Sequence, residues 1–326
     1  MTLDLNGLTV LLTGGTGSFG SAFTERVLGA YPDVVLRIFS RDELKQSEMA
    51  SRFGSDSRLR FFVGDIRSRE RLHRAARGAD LIVHAAAMKQ VPACEYNPFE
   101  AIQTNVLGSQ HVVDAAIDHS VSTVVALSTD KAVNPVNLYG ATKLCEEKLI
   151  VQGNAYAAGT GVKLSCVRYG NVVGSRGSVV PVFRDQVRHG RLTITDERMT
   201  RFWITLDEAV DLVLFAVEHA CGGEVFVPKI PSIKVTDLAR AIAPDLTPEV
   251  VGIRPGEKLH ECLLTVDESR HSVDAGSVYV VLPEHPWWRD DNPWRSAGSP
   301  VPEGFAYASD TNTEWLDVAD LKALLG

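Results

Sequence analysis

A short apolar run at residues 9–13 leads directly into Thr13-Gly14-Gly15-Thr16-Gly17-Ser18-Phe19-Gly20, and this junction constrains the fold more than any other stretch of the chain. Its glycines recur as Gly14-x-x-Gly17-x-x-Gly20, where a strand would end and a helix begin. That spacing allows a tight turn, close approach of backbone to a pyrophosphate and close packing of helix on sheet, while the helix N-terminus favours an anion. A dinucleotide site is predicted here, formed by Gly14, Thr16, Gly17, Ser18, Phe19 and Gly20.

The pattern that follows fits such a site. Apolar runs at 9–13, 34–40, 59–63, 81–84, 124–127 and 163–168 alternate with amphipathic stretches such as 22–28, 69–76, 106–117 and 141–152. This alternation predicts an α/β fold, a doubly wound parallel sheet of the Rossmann type with helices on both faces. Beyond Asn171, glycines and prolines break the pattern until a helical run at 206–220 returns to the sheet. We expect a Rossmann domain over 1–170, rejoined by 206–228, and a smaller C-terminal α/β substrate-binding domain built from 171–205 and 229–326. The Pro- and Trp-bearing stretch 283–300 reads as a surface loop.

Composition narrows the partners. The 326 residues carry a formal net charge of −8, which disfavours a nucleic-acid partner. Cys94, Cys145, Cys166, Cys221 and Cys262 are scattered and lack CxxC spacing, so they read as reduced thiols in a cytoplasmic protein. His84, His111 and His260 share no ligand spacing and read as structural, with no metal site. No apolar stretch approaches the roughly 18 residues of a membrane-spanning helix, so no membrane partner is expected.

The second strand addresses which dinucleotide binds. An NAD site carries an acid at its end for the ribose 2′-hydroxyl. This chain instead has Ser40, then Arg41 and, one helical turn on, Lys45. A guanidinium beside a serine suits a 2′-phosphate, and the reading is NADP. Asp42 and Glu43 remain as acids that would substitute for the missing one. Asp65 and Ile66 follow the third strand, placed to bond the adenine edge, or with Asp65 capping the next helix. Ala86, within Ala85-Ala86-Ala87, closes the fourth strand with the small side chains needed where backbone passes under a cofactor. Asn105 either holds a water or backbone group near the tyrosine discussed next, or is a plain buried amide.

Tyr139 and Lys143, four apart on one helical face, follow Ser128-Thr129-Asp130-Lys131 at the end of the fifth strand. An ammonium there lowers the phenol's pKa and reaches a bound ribose, making the tyrosine a proton-transfer group. Taken with the glycine turn and Arg168-Tyr169-Gly170-Asn171-Val172-Val173-Gly174, the chain resembles the extended short-chain dehydrogenase/reductases that act on nucleotide sugars. Longer blocks sharpen this: 40–47 (SRDELKQS), 127–144 (LSTDKAVNPVNLYGATKL), 168–181 (RYGNVVGSRGSVVP), 199–207 (MTRFWITLD) and 252–261 (GIRPGEKLHE). They resemble the inverting UDP-N-acetylglucosamine 4,6-dehydratases that begin pseudaminic acid synthesis.

The resemblance implies an NADP-dependent homo-oligomer, a dimer or larger up to a hexamer, acting on UDP-N-acetylglucosamine. It implies a catalytic set of Thr129, Asp130, Lys131, Tyr139 and Lys143, with Tyr139 the base at C4, Lys131 the base at C5 and Asp130 the acid for the C6 hydroxyl. Retaining dehydratases carry Asp-Glu where this chain has Asp130-Lys131, and an epimerase needs no such pair. A lysine in a dry site or beside a cation is neutral enough to act as a base. Substrate residues are expected at Lys89, Asn171 and Val172, with Arg201 and Arg254 on the diphosphate and Glu257 on the uridine ribose or on Arg254. Arg176 and Lys258 are weaker candidates for the same site and read first as solvated charge.

Overall fold

The computed structural model describes residues 3–175, 177–285 and 292–325, so Arg176 lies outside the described residues. The strands are β1 (Thr9–Thr13), β2 (Val35–Ser40), β3 (Leu59–Val63), β4 (Leu81–His84), β5 (Thr123–Thr129), β6 (Lys163–Tyr169), β7 (Asn171–Val172), β8 (Thr193–Ile194) and β9 (Thr200–Ile204). They continue as β10 (Val225–Pro228), β11 (Ser232–Lys234), β12 (Glu249–Val250), β13 (Cys262–Leu264), β14 (Ser272–Asp274), β15 (Val278–Val281), β16 (Ser299–Pro300) and β17 (Tyr307–Ala308). Seven run parallel in the order β3-β2-β1-β4-β5-β6-β10. Every residue of β4 and β5 is buried, as strands covered on both faces must be, and this is why they read as unbroken apolar runs.

The covering helices are α1 (Ser18–Ala30), α2 (Glu43–Arg52), α3 (Arg69–Ala76), α4 (Val91–Tyr96), α5 (Pro98–Ile102), α6 (Gly108–Asp118), α7 (Leu138–Tyr156), α8 (Val179–Arg188), α9 (Leu206–His219) and α10 (Val235–Ile242). Between α5 and α6 the chain widens into one π turn, Gln103–Leu107. Asn105 in that turn accepts from Met88 N at 2.8 Å and donates to Met88 O and Thr142 Oγ1, both at 2.9 Å. It holds backbone, one of the two roles its sequence allowed. Helix α9 packs on α1, β5 and β6.

One boundary differs from the sequence reading. Strands β14, β15 and β16 were expected in the smaller unit, yet they extend the main sheet beyond β10 as an antiparallel edge. Pairing there satisfies the open edge of β10 and buries Val273, Val278, Val280 and Val281. Of the expected 283–300 loop, residues 286–291 lie outside the described residues, while Trp294 packs against Phe215, His219 and Phe226. The smaller unit has its own core, where Phe183, Ile194, Trp203, Ile233 and Leu238 join Leu321 of the Val318–Leu325 helix.

A buried charge cluster locks the C-terminal segment onto the sheet. From β6, Arg168 donates to both Glu147 oxygens at 3.0 and 2.7 Å, to both Glu268 oxygens at 3.1 and 2.9 Å, and to Leu263 O at 2.9 Å. Burial raises the Glu268 carboxyl, but Arg168 outweighs it and holds the group near 2. A depressed carboxyl stabilises the fold above its unfolded pKa of roughly 4.3, and that contribution fades as pH falls through the folded value. Arg168→Met leaves two carboxylates without their cation and is expected to cost about 3–5 kcal/mol in urea unfolding at neutral pH. The loss should shrink as the pH is lowered from about 4.3 toward 2, and an unchanged urea midpoint at neutral pH would refute this account.

Candidate active site

At the end of β1 the chain turns through Gly14 at φ +65°, and Gly14 N donates to Phe39 O at 2.8 Å. A Cβ on Gly14 would lie 2.8 Å from the Ala85 carbonyl and from Ala86 N, so this position takes neither a side chain nor, without strain, another residue's backbone conformation. Gly17 caps α1 with no side-chain bond and no acid stands in the first turn, which suits an incoming pyrophosphate. The cradle fits a dinucleotide. It opens into a cavity of about 780 Å³ that continues to the smaller unit.

That cavity gathers most of the residues singled out in the sequence. Thr16, Gly17, Ser18, Phe19 and Gly20 line one end with Ser40, Arg41, Lys45, Ile66 and Ala86. Thr129, Lys131, Tyr139 and Lys143 line the middle; Lys89, Asn171, Val172, Arg201, Arg254 and Glu257 line the far part. Asp65 and Asp130 do not line it. Asp65 instead binds Arg67 at 2.7 Å and faces Arg41 at 3.8 Å. The next helix is capped by Ser68, which corrects the capping role considered for Asp65. Asp42 caps α2, accepting from Lys45 N at 3.0 Å and pairing with Lys45 Nζ at 2.9 Å. Ser40 Oγ accepts from Gln46 Nε2 at 3.0 Å.

At the centre, Asn137 caps α7 by accepting from Gly140 N at 2.8 Å, and its amide reaches Gly256 O in the C-terminal segment at 2.8 Å. A Cβ on Gly140 would collide with the Lys131 carbonyl oxygen, so glycine lets α7 press against the Asp130–Ala132 turn. Tyr139 and Lys131 are thereby brought to one wall. Lys143 donates to Leu127 O at 2.7 Å and to the Glu146 carboxylate. Burial pushes Glu146 up to about 7 even though Lys143 opposes the shift. Burial, then the Glu146 and Asp130 carboxylates, also raise the Tyr139 phenol, against a hydrogen bond with Thr129. The phenol is thus raised in the resting site, not lowered as the Tyr139–Lys143 spacing suggested, because burial and the Glu146 and Asp130 carboxylates dominate.

Asp130 is wholly buried. Its Oδ1 accepts from Lys131 Nζ and from Thr129 Oγ1, each at 2.9 Å. Burial pulls the Lys131 ammonium down, but Asp130 and Glu261 outweigh it and leave its pKa raised. Lys131 therefore rests charged, whereas the sequence reading took it as neutral; two carboxylates that lie far from each other in sequence decide this. Lys258 is likewise not solvated. It donates to Val133 O at 2.5 Å and faces Glu261 at 3.5 Å. Arg201 spends its guanidinium on the carbonyls of Thr200, Leu259 and Lys258, at 2.7, 3.1 and 3.0 Å. Arg254 is exposed and lies 4.0 Å from Glu257, whose carboxylate accepts from Arg254 N at 3.1 Å. His84 is buried between Thr13 and Ser109, and no metal-holding group occurs among the described residues. Glu146 and Glu261 were not found by sequence reasoning; only the block ending at Glu261 carried a signal, and that signal gave no partner.

Residues 10–283 match the family described as polysaccharide biosynthesis protein. A UDP-N-acetylglucosamine 4,6-dehydratase (inverting) of Campylobacter jejuni subsp. jejuni serotype O:23/36 (strain 81-176) is 49% identical over 97% of this chain and 96% of its own length. A UDP-glucose 4-epimerase of Rickettsia akari (strain Hartford) is 44% identical over 84% of this chain and 82% of its own. The solved structure of a dTDP-glucose 4,6-dehydratase from Streptomyces venezuelae, with NAD and TYD bound, matches at TM-score 0.68 and 25% identity, covering 77% of this chain and 87% of that one. The chain belongs to the polysaccharide biosynthesis protein family, within the extended short-chain dehydrogenase/reductases.

Gly14→Ala combines a strained left-handed backbone with a collision against Ala85 and Ala86. The strain alone is roughly 1–2 kcal/mol, so dinucleotide affinity in calorimetric titration is expected to fall about tenfold or more. Unchanged affinity would show that the turn does not hold the dinucleotide.

Proposed function

We propose that this protein is an NADP-dependent UDP-N-acetylglucosamine 4,6-dehydratase, a hydro-lyase that inverts C5. The observation that carries this reading is one cavity in which the glycine turn, Tyr139 and Lys143 are joined by the Thr129-Asp130-Lys131 corner. When bound, the nicotinamide supplies the hydride acceptor for C4 and the hydride donor for C6, and its positive charge favours the tyrosinate. Tyr139 takes the C4 hydroxyl proton, and the resulting 4-ketone acidifies the proton on C5.

Elimination then needs a base at C5 and an acid at C6. Moving one proton across the 2.9 Å bond from Lys131 to Asp130 produces both at once, a neutral amine and a carboxylic acid. Lys131 accepts the C5 proton and the electrons of that bond form the C5–C6 double bond. The C6–O bond breaks, and its oxygen takes the Asp130 proton through the Thr129 hydroxyl and leaves as water. Proton delivery to C5 from the opposite face, together with the hydride that a bound nicotinamide would return to C6, gives UDP-2-acetamido-2,6-dideoxy-L-arabino-hexos-4-ulose, the type of product that enters pseudaminic acid synthesis.

Likeness to a UDP-glucose 4-epimerase favours epimerisation as the second reading. An epimerase has no use for the Asp130–Lys131 pair, which supports dehydration here. NADP is supported by Ser40 at the end of β2 in place of an acid, with Arg41 and Lys45 beside it on the cavity. Free thiols at all five cysteines and the lack of any membrane-long apolar helix among the described residues suit a cytoplasmic enzyme. Exposure of Tyr96, Phe99, Ile102 and Leu107 along α4, α5 and the π turn supports a homo-oligomer.

Incubation with UDP-N-acetylglucosamine is expected to give a product lighter by one water, with L-arabino proton couplings in the first species formed. A product of unchanged mass would establish the epimerase instead. Lys131→Ala should retain dinucleotide and substrate binding while dehydration falls about 10²–10⁴-fold, together with solvent deuterium exchange at C5. Full activity in that variant would remove Lys131 from the reaction.

Acid extraction of the purified protein should release NADP, and Arg41→Ala with Lys45→Ala should weaken NADP more than NAD. Release of NAD alone, or equal weakening of both, would reverse the cofactor assignment.

A further inference from the structure

Glu261 has no role in the reaction as described, yet it is the carboxylate around which the far wall of the cavity is organised. It is almost wholly buried and fixed by its backbone: Glu261 N donates to Ser309 Oγ at 2.9 Å and Ser309 N donates to Glu261 O at 2.8 Å. Ser309 Oγ in turn meets Thr200 Oγ1 at 2.7 Å. Its side chain faces three cations from separate parts of the chain. Oε1 lies 3.9 Å from Lys131 Nζ and 3.8 Å from Arg201 Nε, and Oε2 lies 3.5 Å from Lys258 Nζ. Oε2 accepts no hydrogen bond among the described residues, so charge is what satisfies it.

We propose that Glu261 is a positioning residue for the dehydration: sharing one carboxylate among Lys131, Arg201 and Lys258, it holds the Lys131 side chain against Asp130 and biases it to the charged form. The proposal rests on the dehydratase reading for the reaction served, and on geometry alone for its effect on Lys131. The charged and titratable groups around Lys131 are Asp130 in its own turn, Glu261 and Lys258 before β13, Arg201 on β9, Lys89 beyond β4 and Tyr139 on α7. Only Asp130 and Glu261 among these are anions. Without Glu261, Lys131 keeps one carboxylate and faces two uncompensated cations, and both changes favour the neutral amine. Glu261 thus holds the proton on Lys131, and transfer to Asp130 begins from that loaded state.

The test measures the Lys131 proton affinity directly, in the cofactor-loaded protein. Labelling with acetic anhydride across a pH series, read at Lys131 by peptide mass spectrometry, gives its titration midpoint. The rate of dehydration is followed over the same series. Glu261→Gln keeps the shape and removes the charge. Its Lys131 midpoint should fall by about one pH unit. The alkaline limb of kcat should move the same way, kcat should drop about tenfold, and KM should stay within about threefold. Glu261→Asp should restore the wild-type midpoint.

Lys258→Met removes a cation from the same carboxylate and should move the midpoint upward, so the answer does not hang on one variant folding. A purely structural role would lower activity and leave both midpoints where they were. That result overturns the proposal, as does a change confined to KM. A wild-type protein that never removes water overturns the dehydratase reading, and unmoved midpoints overturn the role of Glu261 whichever activity is found.

Discussion

The contact between α7 and the turn that follows β5 is the constraint on which the site depends. Gly140 has no Cβ to collide with the Lys131 carbonyl, so the helix carrying Tyr139 and Lys143 lies directly on the turn carrying Asp130 and Lys131. Any side chain at that position would separate the two halves of the chemistry. The same helix is tied at its cap to Gly256 through Asn137, which brings the segment holding Arg254, Glu257, Lys258 and Glu261 up to the same wall. One short stretch of backbone thus places the glycine-turn end of the cavity, the α7 residues and the C-terminal segment on one wall.

Buried charge sets the electrostatics of that wall. Besides Tyr139, helix α7 turns Lys143, Glu146 and Glu147 inward, with Lys143 on Glu146 and Glu147 on Arg168. Two more carboxylates, Asp130 and Glu261, bracket Lys131. Each carboxylate faces a cation, whether from its own turn (Asp130), its own helix (Glu146) or another element (Glu147, Glu261), because a lone buried charge is too costly to persist. The consequence is a resting state in which Tyr139 keeps its proton as a phenol and Lys131 as an ammonium. In the proposed dehydration, chemistry starts from a redistribution of protons already within the cluster.

Much of this was legible in the sequence, and for identifiable reasons. The glycine turn, the alternation of β1 through β6 with helices, and the Tyr139–Lys143 spacing are local patterns, and a parallel sheet covered on both faces leaves an apolar signature in each strand. The corner Thr129-Asp130-Lys131 was visible as an unusual acid–base pair next to that tyrosine. Other features had no local signature. Strands β14 to β16 are short and alternate like many others, and nothing in them says that they pair with β10 and not within the smaller unit. Lys258 looked like any surface lysine until the fold placed Val133 O and Glu261 around it.

The sequence by itself determined the order of elements, the glycine turn and which candidate side chains lie close together along the chain, since each follows from neighbours a few residues apart. Tertiary structure alone decided which distant charges face them. Glu261 is brought up to Lys131 beside its sequence neighbour Asp130, and Arg201 and Lys258 are brought to the same carboxylate. Coulomb interactions fall with distance in space and are indifferent to distance along the chain. The partners that tune a site can therefore come from anywhere in the sequence, and only the packed fold selects them.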